Sequence, residues 1–149
     1  PLPGSRSIFS CPSCPDLRQA AIPYANPPTF ARAFFMYGEN GRLCINKGGP
    51  VRTVSNTKLS GIKNPSDTIF LAEVDPNSPD NKNAAQSNVT GQYAVARHDQ
   101  RGNFSMCDGS SRSARTNEFL RTSTESNNAS SEWATVRRMY WYPSSDTQN

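Results

Sequence analysis

The chain lacks any long hydrophobic stretch. Its longest uninterrupted apolar run is Ala33-Phe34-Phe35-Met36-Tyr37, far below the ~20 residues a helix needs to cross a bilayer, so no transmembrane helix lies within it. It also lacks a basic cluster. Sixteen Lys and Arg face 12 Asp and Glu for a net charge of +4, and Arg137-Arg138 is the single adjacent basic pair. That scatter describes a solvated surface and excludes a nucleic-acid stripe. Hydrophobic residues make up 34% of the sequence, low even with glycine added against the ~45–50% of ordinary soluble domains, so a thin core is expected. There is no internal repeat, and almost no segment has the period of a long helix.

What is present is turn chemistry. Nineteen Ser and 14 Asn favour local side-chain to backbone bonds over regular helix. The 149 residues fit one domain, residues 1–149. No secretory signal opens the chain at Pro1, so a processed chain or a piece of a longer one is expected. Four cysteines in a domain with a poor core favour an oxidising compartment and two disulfides among Cys11, Cys14, Cys44 and Cys107. Tying the proline-rich arm to the body argues for Cys11 or Cys14 bonded to Cys44, with Cys107 taking the other arm cysteine. The rival is zinc on four thiolates, but a second CxxC beside Cys11-Pro-Ser-Cys14 is missing. A thioredoxin-like site is disfavoured by Pro12 and Pro15, which surround that CxxC with loop.

Along the chain, seven prolines between Pro1 and Pro28 mark residues 1–28 as an extended arm, a docked loop or a frayed end. Phe30 to Tyr37 suits a short strand, resumed at Leu43-Cys44-Ile45, and Val51 to Ser60 an arm or edge strand. Asn64-Pro-Ser-Asp67 is a turn, and Thr68 to Val74 behind it reads as a central strand. Asp75 to Asn88 is a polar surface excursion. Gln92 to Arg97, Asn103 to Cys107 and Ser111 to Phe119 are predicted strands, the last two joined by a type I′ turn at Asp108-Gly109. Residues 121–149 are predicted as loop plus a short helix from Ser131 to Tyr140, capped by Ser130 or Ser131 and presenting Trp133, Val136 and Met139/Tyr140 on one face. The fold class is α+β with a small antiparallel sheet, and that sheet must bury its apolar face against something.

Phe9-Ser-Cys11-Pro12-Ser13, Tyr37-Gly-Glu-Asn40-Gly41, Lys58 to Glu73, and Arg97-His98 followed after nine residues by Asp108-Gly109 form an ordered series. In this the chain resembles bacterial type II secretion pseudopilin-like or type IV pilin-like proteins that carry the His-x9-Asp-Gly signature. The resemblance covers about two thirds of the sequence. It implies a pilin-like head whose prepilin leader and long hydrophobic helix lie outside these residues, the outer half of that helix packing on the sheet. It implies a disulfide-permissive periplasmic or cell-surface location, anchored in the inner membrane by that helix, and partners that are other pilin-like subunits and secretion-system proteins. The family often places His after Asp-Gly. Here Ser110 stands there, so a role needing that second His does not carry over.

His98 is the single histidine, with Glu73 and Asp108 as acids to set beside it. If Asn103 to Cys107 is a regular strand, His98 and Asp108 stand at its opposite ends, about 15 Å apart at ~3.3 Å per residue, too far for a direct dyad. No Ser or Cys sits in a nucleophile-elbow context. The favoured reading makes Glu73, Arg97, His98, Asp108 and Gly109 structural, Gly109 supplying positive φ, Asp108 accepting within its own turn and His98 donating to a carbonyl. No cofactor is implied. Asp75, Asn77 and Asp80, with Asn81 and Asn83, offer oxygens for calcium without EF-hand spacing, and a solvated loop is favoured over a calcium site. Tyr140-Trp141-Tyr142 fits a terminal anchor better than a sugar-stacking platform. The leading expectation is a non-enzymatic structural subunit, and the alternative is a secreted carbohydrate-binding or hydrolytic domain.

Overall fold

Alternation along residues 101–106 and an apolar run at 69–74 organise the sheet. The structure is a computed structural model that describes residues 19–22, 29–32, 37–44, 57–74 and 88–147, the first two segments and Cys44 by their backbone alone. In chain order the elements are β1 (Gln19–Ile22), β2 (Thr29–Arg32), β3 (Tyr37–Asn40), α1 (Gly41–Cys44), a 3₁₀ turn at Leu59–Gly61, β4 (Ile69–Glu73), β5 (Asn88–Val89), β6 (Arg101–Met106), β7 (Ser111–Arg115), α2 (Thr116–Phe119), α3 (Ser123–Ser126) and α4 (Ala129–Trp133). β1 and β2 pair with each other, Gln19 opposite Arg32. The other strands form one sheet in the order β5-β3-β4-β6-β7, with β4 at its centre.

The fold is thus mixed α and β, and the expected all-antiparallel sheet is corrected to a mixed one, because β5 runs parallel to β3. Residues 101–106 bury Gly102, Phe104 and Met106 and leave Asn103 exposed, the period-2 pattern of a strand with one face on the core. β4 departs from that period. Its register against β6 advances from Ile69↔Met106 to Leu71↔Ser105, so Phe70 is the extra residue of a β-bulge. Phe70 and Leu71 are in consequence both exposed, at 40% and 36%, while Ile69 and Ala72 are buried.

The inner face is covered by the end of the chain. Phe119, Met139 and Trp141 pack with Ile69, Phe104 and Met106 in one core, and the Phe104 and Phe119 rings meet at 4.8 Å. Tyr140, Trp141 and Tyr142 are buried, which supports the anchor and excludes the sugar-stacking platform. The C-terminal prediction needs correction in its elements. The helix starts at Ala129 and stops at Trp133, and Asn128 caps it by accepting the Ser131 N–H. Val136 is left 96% exposed. The stretch read as loop holds α3, with a reciprocal cap between Thr122 and Glu125.

Other expectations shift as well. Gln92 to Arg97 is no strand: Tyr93 N–H closes a turn on the Thr90 carbonyl, and a single bridge joins Ala94 to Val74. Residues 116–119 turn helical, and Gly41–Cys44 is a helical turn where a resumed strand was expected. Of the Phe30 to Tyr37 expectation, residues 30–32 lie in β2 and Tyr37 opens β3, and residues 33–36 lie outside the described residues. Within the arm, Gln19–Ile22 is a strand, and of the Val51 to Ser60 expectation residues 51–56 lie outside the described residues.

Candidate functional site

Glu73 ends the central strand and is fully buried. A two-residue turn brings its partner. Asp99 and Gln100 both adopt left-handed backbone, φ 51° and 61°, and His98 and Arg101 exchange both backbone bonds at 3.0 Å, which is the type I′ geometry. The turn folds residues 94–98 back along the end of β4, where Val95 N–H donates to the Glu73 carbonyl at 3.1 Å and the Arg97 guanidinium donates to the Val74 carbonyl. His98 Nε2 then lies 2.8 Å from Glu73 Oε1. The imidazole is one third exposed and the carboxylate is not exposed at all. Glu73 Oε2, also buried, has no hydrogen-bond partner among the described residues.

The predicted motif residues are therefore brought together in part. Glu73, Arg97 and His98 form one cluster, and His98 pairs with a carboxylate where a carbonyl was expected. Asp108 and Gly109 sit beyond the far end of β6, in the turn to β7. There Gly109 has φ 86° and its N–H reaches the Met106 carbonyl at 3.0 Å. Asp108 has no positive φ, so the expected type I′ turn is instead a type I turn closed by a left-handed glycine, the G1-bulge connection. Asp108 Oδ1 accepts from the Ser110 N–H at 2.9 Å and hydroxyl at 2.7 Å. Those two bonds, hydroxyl first, hold its carboxyl below the usual range. Ser110 thus has a local role in the turn.

Cys107 is a free thiol in this structure, so the expected bond from Cys107 to an arm cysteine is not formed. Burial, reinforced by Asp108, pushes its pKa up to about 11. Cys11, Cys14 and the side chain of Cys44 lie outside the described residues, as do Asp75, Asn77 and Asp80 with Asn81 and Asn83. Among the described residues no three His, Cys, Asp or Glu side chains are grouped to hold a metal.

Comparison with known protein families, with curated proteins and with solved structures finds no match to this chain. Its geometry has to carry the functional reading.

A second charged centre escaped the sequence reading. Glu132 and Arg121 are both fully buried side chains, Nε to Oε1 at 2.8 Å. The Glu132 carboxylate also accepts the backbone N–H groups of Trp141 and Tyr142 at 3.1 and 2.8 Å, and Arg121 Nη2 donates to the Met139 carbonyl at 2.6 Å. Burial pushes the Arg121 guanidinium down and Glu132 draws it back up. Asn40 Nδ2 completes the attachment by donating to the carbonyls of Ile69 and Trp141, each at 2.7 Å. These groups tether the last segment to the sheet through its backbone. The sole sequence signal was the aromatic triplet at 140–142, which needed polar partners to bury its peptide groups.

On the other side the bulged strand leaves apolar surface open. Phe70 and Leu71 are exposed there, and Leu59 is 63% exposed. Leu43, Leu59, Ile62, Phe70 and Cys107 line a groove of about 240 Å³. No helix among the described residues is long and apolar enough to cross a membrane.

Proposed function

We propose that this chain is the non-enzymatic head of a pilin-like subunit, of the type II secretion pseudopilus or type IV pilus kind, working by polymerisation beside other such subunits at the periplasmic face of the inner membrane or the cell surface. The observation that supports it most is the apolar surface of Phe70, Leu71 and Leu59 with its groove. A sheet buries an apolar face against another element; the C-terminal segment covers one face here, and Leu59, Phe70 and Leu71 leave an apolar patch open on the other. In the proposed subunit an apolar helix encoded upstream covers the other, as the resemblance implies. The bulge that exposes two successive apolar residues suits a docked helix better than solvent.

Glu73, Arg97 and His98 are structural in this reading: the pair closes the end of β4 and the turn before β6. The upstream codons test the proposal. They are expected to encode a prepilin leader junction followed by a long apolar helix, and a conventional cleaved signal peptide there would overturn it in favour of a secreted binding or hydrolytic domain. As a companion test, wild type and His98→Ala are assayed on esters, glycosides and peptides with thermal melting in parallel. Turnover lost without stability would make His98 catalytic.

A further inference from the structure

Arg101 and Arg115 stand directly opposite each other across β6 and β7. Side chains so placed start about 5 Å apart, and like charges there are destabilising. Elsewhere Arg112, Arg121, Arg137 and Arg138 each reach a carboxylate. The guanidinium groups of Arg101 and Arg115 reach no carboxylate among the described residues; the Arg115 backbone N–H donates to Glu118 Oε2 at 2.8 Å, and the Arg101 guanidinium makes one long bond, 3.5 Å, to the Ser113 carbonyl. Both arginines line an open recess of about 550 Å³ with Asp99, Gln100, Thr116 and Asn117. The wall before Arg101 is the left-handed turn, in which Gln100 is held at φ 61°, a conformation that a non-glycine residue adopts only against a steric cost. Such strain concentrates where the backbone position serves a site.

We propose that Arg101 and Arg115 form a binding site for an oxyanion, a carboxylate or phosphate group, in the recess they share with Thr116 and Asn117. Two guanidinium forks match the paired oxygens of either group, and an anion between them converts the like-charge pair into a bridged one. The Thr116 hydroxyl and Asn117 amide supply further polar contacts at the rim. Asp99 is the opposing group, a carboxylate in the same recess, and it sets a sign that an ordinary basic surface would not show. Removing its charge tightens anion binding. The site goes beyond the pilin-like reading and does not depend on it.

Amide NMR titrations of the full chain with inorganic phosphate and with glucuronate, at low salt, test it. The expected result is saturable shifts at residues 99–101 and 115–117, weakened at least tenfold in Arg101→Gln and Arg115→Gln, unchanged in Arg138→Gln, and tightened about threefold in Asp99→Asn, the size of one screened charge. Tighter phosphate assigns a phosphate ligand, and tighter glucuronate a carboxylate. Thermal melts keep the arginine variants interpretable, since relieving the like-charge pair leaves their stability equal or higher. Shifts that rise linearly without saturation, that survive in the double arginine variant, or that weaken in Asp99→Asn would overturn the site.

Discussion

Glu73 holds one carboxylate oxygen against His98 at 2.8 Å and buries the other without a partner among the described residues, so the imidazole is its main compensation. Removing a partner from a buried polar group costs about 1–3 kcal/mol. His98→Ala is expected to lose that much by urea denaturation, and Glu73→Gln in the same background to regain part of it, since an amide is cheaper to bury alone than a carboxylate. Additive losses in the double variant would show that the pair is not coupled. Cys107 carries a pH prediction. With its pKa raised to about 11, the folded protein keeps the thiol protonated where the unfolded chain begins to ionise. That contribution is complete below the ordinary thiol range and is lost as pH rises through about 11. Iodoacetamide should label folded Cys107 slowly at pH 8 and accelerate toward that value, whereas fast labelling at pH 8 would contradict the burial. Gly109 at φ 86° has open space around its Cα, so Gly109→Ala is expected to cost only backbone strain, about 1–2 kcal/mol, read from the melting temperature.

Among the elements, α3 shows how little sequence signal a short helix needs. Thr122 Oγ1 accepts the Glu125 N–H at 3.2 Å, and Glu125 Oε2 accepts the Thr122 N–H at 3.0 Å. That backbone bond is the largest cause holding the Glu125 carboxyl below its usual value. A lowered carboxylate pKa stabilises at pH above the ordinary range and the contribution is lost as pH falls through the folded value. Thr122→Ala should cost about 1 kcal/mol near neutrality and less in acid, and a penalty that grows in acid would contradict the cap. β4, β6 and the hairpin after Met106 were legible because local pattern decides them: an apolar run behind a turn, a clean alternation, and an Asp-Gly pair. Gln92 to Arg97 alternates too, yet Gly91 packs under the Trp141 ring, its hypothetical Cβ 2.7 Å from the indole nitrogen, and the contact with a residue far along the chain replaces the strand. The Phe70 bulge was invisible for a similar reason, since register belongs to the strand pair and no single strand encodes it. The type I′ turn sits at Asp99-Gln100, where the sequence has no glycine to announce it.

At the level of the whole molecule, a thin core is held by a buried polar latch. Arg121 and Glu132 sit in a stretch of Ser, Thr and Asn, and nothing local marks them as interior. Their burial is decided by the terminal segment: Glu132 accepts the backbone N–H groups of Trp141 and Tyr142, and Arg121 donates to the Met139 carbonyl. Breaking such a pair costs about 3–5 kcal/mol, a large part of the ~5–15 kcal/mol that holds a domain. Glu132→Ala is therefore expected to unfold the chain or to leave it melting far below wild type by circular dichroism, and a mild effect would contradict the latch. The opposite face of the sheet carries the functional claim, because Leu59, Phe70 and Leu71 are open there. The most direct measurement is paramagnetic relaxation of the Leu59 and Leu71 methyl groups by a soluble agent, compared between this chain and, in detergent micelles, a longer form carrying the upstream helix that the proposal requires. Strong broadening in the chain alone and protection in the longer form, with Val136 broadened equally in both, is the result expected of a helix-covered pilin-like head. Equal broadening of Leu59 and Leu71 in the two forms would contradict it.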